Sequence, residues 1–155
     1  MALKDDGDIV RGVGFVTIYA AYLEEQIDEL LEVLHRIKSI TDADRKKPLS
    51  TKLTETKKRL QVLEDRDIEI LVDNLMLTKG LLEARHEVVH SRIYAPLRGA
   101  EDLRPSRPNQ PRRSVTSGEL YDLANKLDAC SRPLAQAVRF DAPKAVARWE
   151  SNAIQ

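Results

Sequence analysis

Cysteine is nearly absent: Cys130 is the single cysteine in 155 residues, so no disulfide can close within the chain. That usage fits a reducing compartment. Aromatic residues are scarce as well, at 5%, which gives little support for a platform stacking several single-stranded bases. Neither sign of charge is in excess, since 25 Lys and Arg balance 25 Asp and Glu. A protein that grips duplex nucleic acid by bulk charge alone is thereby disfavoured, whereas a local basic patch is not. No long apolar run occurs either. The longest, from Gly12 to Leu23, stops at Glu24 and Glu25, short of the about 20 residues a membrane-spanning helix needs. The opening Met-Ala-Leu-Lys-Asp-Asp-Gly-Asp is acidic where a signal peptide is basic and then apolar. A cytoplasmic protein with no membrane partner is the expectation.

The apolar pattern that remains has the period of a helix. Val16, Tyr19, Ala20, Leu23, Ile27, Leu30, Leu31 and Leu34 recur at three- and four-residue steps and mark one face of a long first helix. It is expected to end before Thr41-Asp42-Ala43-Asp44, with a loop at Arg45-Lys46-Lys47-Pro48. Ser50 or Thr51 can cap a second helix carrying Leu53, Leu60 and Leu63. After a charged break or turn at Glu64-Asp65-Arg66-Asp67, a third helix carries Ile68, Leu71, Leu75, Leu82 and Val89 toward Ile93, with Gly80 a place where it can bend.

From Pro96 to Ser114 the composition changes, with four prolines and five arginines against Glu101 and Asp102. This segment, 96–114, reads as a mobile loop, and its arginines make it either an RNA-contacting arm or a solvated linker. Thr116-Ser117-Gly118-Glu119 has capping-box spacing. Leu120, Leu123, Ala124 and Leu127 follow it at helical steps, Pro133 is expected to kink or end that helix, and Pro143 opens a last short helix or tail over 141–155. No stretch shows sustained two-residue alternation. The fold class is all-α, a helical bundle with its core over about 9–140, in a single domain spanning 1–155.

Two of the three histidines lie together in Glu83-Ala-Arg-His-Glu-Val-Val-His-Ser-Arg92. Two patterns overlap there. His86-Glu87-Val88-Val89-His90 has the spacing at which two imidazoles on one helix face share a zinc ion, with the glutamate as general base on a metal-bound water. Such a zinc hydrolase needs a third ligand, for which Glu101 and Glu119 are candidates. The other pattern is Arg85-His86-x-x-x-His90, late on a long helix of an all-α protein. With Leu82 taken as the centre of the core stripe, Arg85 falls about 60° to one side and His90 about 80° to the other. One copy of the helix then makes a poor compact site. Two copies across a two-fold axis pool two arginines and two histidines in one cleft.

The second pattern resembles the R-x4-6-H signature of the HEPN superfamily, in which the residue after the arginine is commonly Asn, Asp or His. Gly14-Phe-Val-Thr-Ile-Tyr-Ala-Ala-Tyr-Leu-Glu24 looks like that family's first helix, and Leu49-Ser-Thr-Lys-Leu53 like the start of its second. The resemblance covers most of residues 12–140 and implies a HEPN-like bundle acting as a homodimer. It also implies metal-independent endoribonuclease chemistry with no cofactor, of toxin or phage-defence type, with RNA as substrate and an antitoxin or regulatory protein as a further partner. Arg85 and His90 are then the catalytic pair, with His86 and Glu24 in support. One toxin branch of the superfamily has a tyrosine two residues after the motif histidine, where this chain has Arg92 and places Tyr94 two further on. Other members keep the fold and bind RNA or protein without cleaving, which is the alternative reading.

Overall fold

In the computed structural model the described residues are 2–94, 101–106, 109 and 111–153. Helix α1 (Ile9–Val33) runs on into a 3-10 turn (Leu34–Arg36) and is followed by α2 (Asp42–Arg45), α3 (Leu49–Gln61) and α4 (Arg66–Val89). Three strands come next, β1 (Ser91–Tyr94), β2 (Glu101–Pro105) and β3 (Arg113–Val115). Helix α5 (Ser117–Gln136), a π-helical turn (Ala137–Asp141) and α6 (Ala142–Ala153) complete the order. Among the described residues no helix is long and apolar enough to cross a membrane.

The chain divides into two compact units, Met1–Ala21 with Gly80–Asp128, and Tyr22–Lys79 with Ala129–Gln155. In the second unit the periodic positions are inside as expected: Leu23, Ile27, Leu30, Leu31 and Leu34 are buried, as are Leu53, Leu60, Ile68, Leu71 and Leu75. Tyr22, which lies close to that stripe in sequence, is instead 52% exposed. The short α2 carries a full capping box, in which Thr41 Oγ1 accepts from the Asp44 amide at 3.2 Å and the Asp44 carboxylate accepts from the Thr41 amide at 2.9 Å.

Helix α3 starts two to three residues earlier than a Ser50 or Thr51 cap implies. Pro48 stands at its N-cap with φ −55°, and a ring-locked φ of that size is already close to helical. Gly80 does not interrupt α4, which is unbroken from Arg66 to Val89. Pro133 does not end α5 either, but one turn beyond it the ladder widens into the π-helical turn. Proline removes one amide donor and crowds the carbonyl four residues back, so a local change of helical pitch is the expected accommodation.

The first unit is where the structure departs from an all-α chain. The end of the expected third helix, toward Ile93, and residues expected as loop instead form an antiparallel sheet in the order β1-β2-β3, with α4 ending at Val89. Ser91 pairs with Pro105, Arg92 with Arg104, Ile93 with Leu103, and Tyr94 with Asp102. Glu101 pairs with Val115, Asp102 with Ser114, and Leu103 with Arg113. Of the expected loop, 96–100, 107–108 and 110 lie outside the described residues, and the rest holds β2 and most of β3. The strands are three to five residues long, too short to display a period by themselves.

One face of the sheet closes a small core: Leu103 and Val115 are fully buried and join Val88 and Leu120, with Ile9, Val13, Ile93 and Leu123 packed around them. Helix α1 reaches α5 through Gly12, where an added Cβ would lie 2.9 Å from Leu120 Cβ. The residues before α1 are strapped to α5. The Leu3 amide and carbonyl bond Asn125 at 2.6 and 3.1 Å, Ser117 donates to Asp5 at 3.2 Å, and the Tyr121 hydroxyl donates to Asp6 at 2.6 Å.

Candidate functional site

The end of α4 turns a different face inward from its beginning. Ile68, Leu71, Leu75 and Leu82 are buried, the stripe the sequence indicates, and Thr78 is buried with them. The next residue of that stripe is Val89, yet Val88 is the one buried, at 4% exposure, because the sheet and Leu120 close over its side. At about 100° per residue, Arg85 lies about 60° from the Val88 direction, and His86 and His90 each about 160° from it. The two histidines therefore point away from the sheet-covered core, and the arginine lies beside it.

The side chains follow that arithmetic. His90 is exposed, His86 is half-buried, and their rings lie 4.3 Å apart between centroids with planes inclined by 47°. His90 is the residue after α4, and its amide still donates to the His86 carbonyl at 3.1 Å, which keeps the pair on one face. Arg85 is half-buried with its Nε shielded from solvent. Glu24, the proposed supporting acid, is half-buried on α1 in the second unit.

Two contacts anchor the sheet to this helix end. Ser106 Oγ donates to the His90 carbonyl, and Ser91 Oγ donates to the Glu87 carbonyl. Arg113 on β3 then bridges two acids: its Nε donates to Glu87 at 3.0 Å and its Nη1 to Glu119 at 2.8 Å. Burial works against the Arg113 charge, but the bond to Glu87 and the charges of Glu87 and Glu119 outweigh it and raise its pKa.

These contacts bear on the zinc pattern. The Glu87 carboxylate is engaged by Arg113. Glu119 closes the capping box, accepting from the Thr116 amide at 3.0 Å, and Glu101 sits on β2 opposite Val115. Among the described residues no three His, Cys, Asp or Glu side chains converge on a metal position. Arg113 was invisible to sequence reasoning as a partner of Glu87, 26 residues away; the only signal was the excess of arginine in its segment.

Comparison with known proteins finds no similarity: no family model, no curated protein and no solved structure matches the chain.

Proposed function

We propose that this chain is a metal-independent endoribonuclease of HEPN type, working as a homodimer with Arg85 and His90 in a cleft between the copies. The observation that carries the reading is the pairing of an outward, adjacent His86 and His90 with Arg85, the residue before His86, on the same helix end. Histidine is the side chain whose ordinary pKa lies closest to neutrality, so it can both take and return a proton at physiological pH.

In the proposed reaction His90 takes the proton of a ribose 2′-hydroxyl, and the oxygen attacks the adjacent phosphorus in line. The P–O5′ bond breaks and the leaving oxygen takes a proton from a histidinium of the same cleft. The products are a 2′,3′-cyclic phosphate and a free 5′-hydroxyl. Arg85 offers its planar fork of donors to the phosphate oxygens as negative charge builds on them. His86 contacts the phosphate or holds His90 in place.

The test is incubation of the purified protein with single-stranded and structured RNA in excess EDTA, beside Arg85→Ala and His90→Ala. Cleavage by the unaltered chain alone, leaving cyclic-phosphate ends, supports the proposal. If none of the three cleaves while the unaltered chain still binds RNA, the chain is a binding module of the same fold class.

A further inference from the structure

We infer that the solvent-facing side of the three-stranded sheet is a docking surface for the phosphodiester backbone of single-stranded RNA. The inference rests on the proposed ribonuclease reading, since it names the surface that would present the strand to His90.

Successive side chains of a strand point to opposite faces. Ile93, Leu103 and Val115 face the core, so the other face carries Arg92 and Tyr94 from β1, Asp102 and Arg104 from β2, and Ser114 from β3. On that face Arg92 lies directly opposite Arg104. Like charges placed directly across a strand pair destabilise it, and in an isolated sheet this register has nothing to recommend it. An anion held between the two guanidinium groups reverses the sign of the interaction. Arg112 stands one residue before β3, and continuing the β2–β3 register one step past the Leu103–Arg113 pair brings it level with Arg104, a third arginine beside the pair.

The single carboxylate on this face does not cancel the row. Asp102 accepts from Arg104 Nε at 2.9 Å. Arg92 and Arg112 are both exposed, and among the described residues neither forms an ion pair. The Arg104 guanidinium also lies 4.2 Å from the centre of the Tyr94 ring. That stacking fixes the guanidinium plane and leaves its outer edge to donate, while Tyr94 is 41% exposed and offers an aromatic surface beside it.

Placement relative to the candidate catalytic pair completes the argument. Arg92 follows His90 by two residues, so their backbones are at most about 7 Å apart. Ser106, just past the end of β2, holds the His90 carbonyl. A phosphate held between Arg92 and Arg104 therefore sits on the strand that continues directly from the helix end carrying His90. RNA is favoured over a peptide because the row consists of planar bidentate donors in a line, the geometry that reads consecutive phosphates.

The test is binding of the full chain to a labelled 2′-O-methyl oligonucleotide, which cannot be cut by 2′-hydroxyl attack, followed by fluorescence anisotropy over a range of salt concentrations. Because no cleavage is read, failure of the ribonuclease reading leaves the measurement intact. Each lost phosphate contact should reduce the slope of log affinity against log salt by about 0.7. Arg92→Gln with Arg112→Gln removes two exposed side chains that support no described contact. It should weaken binding several-fold and lower the slope by about 1.4. Adding Arg104→Gln should lower it by about 2. Unchanged affinity and slope in the double variant, or no binding by the unaltered chain at low salt, would overturn the inference.

Discussion

Glu87 accepts the Nε–H of Arg113 at 3.0 Å, and this one bond joins the last strand of the sheet to the helix turn that carries His86 and His90. It gives Glu87 a structural task in the middle of what reads as a zinc-hydrolase motif. The pair is partly exposed, with 39% and 29% of the two side chains open to solvent, so its energetic worth is modest. Glu87→Gln should cost about 0.5–1 kcal/mol by urea denaturation, and should leave cleavage in EDTA close to that of the unaltered chain. Loss of all cleavage with stability retained would give Glu87 a role in the reaction itself.

Pooled residues across a two-fold axis predict complementation. Arg85→Ala and His90→Ala should each be inactive alone, and mixing them under conditions of subunit exchange should restore part of the cleavage, since a mixed dimer keeps one arginine and one histidine in its cleft. Light scattering after chromatography should show a dimer at micromolar concentration. A monomer, or no recovery on mixing, would remove the composite cleft.

Arg85→Lys retains the charge but loses the planar fork of donors. If the guanidinium stabilises the transition state, cleavage should fall by about 10²-fold, with little change in the affinity for the uncleavable oligonucleotide. An equal fall in affinity would mean that Arg85 binds substrate without favouring the transition state.

Two glycines of α1 should respond in opposite directions. At Gly12 a new Cβ meets Leu120 Cβ at 2.9 Å and the Tyr121 ring at 3.4 Å, whereas at Gly14 nothing lies within 4 Å. Gly12→Ala should destabilise by about 1–3 kcal/mol through overpacking. Gly14→Ala should stabilise by about 0.5–1 kcal/mol through helix propensity. Denaturant midpoints decide both.

The Asp6–Tyr121 bond sets a pH dependence at each end of the scale. The Tyr121 hydrogen bond, helped by the Asp8 amide and Arg11, holds the Asp6 carboxyl below its ordinary 3.8. Its contribution is present above about pH 4 and is lost as pH falls through the lowered value. Burial, then the bond to Asp6, pushes the Tyr121 hydroxyl up to about 12 from 10.0. Stability from that group is complete below pH 10 and is lost as pH rises toward 12. Tyr121→Phe should abolish the alkaline loss and shrink the acid one, read as urea midpoints from pH 2 to 12. An unchanged alkaline limb would mean that another group controls it.

What the sequence by itself determined is whatever local period and local chemistry decide. The stripe from Val16 to Leu34 is buried at all but Tyr19, because a 3.6-residue repeat leaves one face of a helix no other place to go. Thr116 and Glu119 cap α5 as their spacing implies, with the Thr116 hydroxyl accepting from the Glu119 amide at 3.2 Å. The break between α3 and α4 takes in Glu64 and Asp65 of the four charged residues expected there, with Glu64 at a positive φ of 47°, while Arg66 and Asp67 already open α4. Tertiary structure alone decided the sheet and the direction of the candidate site. Arg92 and Arg104 are twelve residues apart and meet only through strand pairing, and nothing in a four-residue segment announces its partner. The same sheet buries Val88 in place of Val89 and so turns His86 and His90 outward. A helix carries apolar residues on several faces at once, and which of them is covered depends on what packs there.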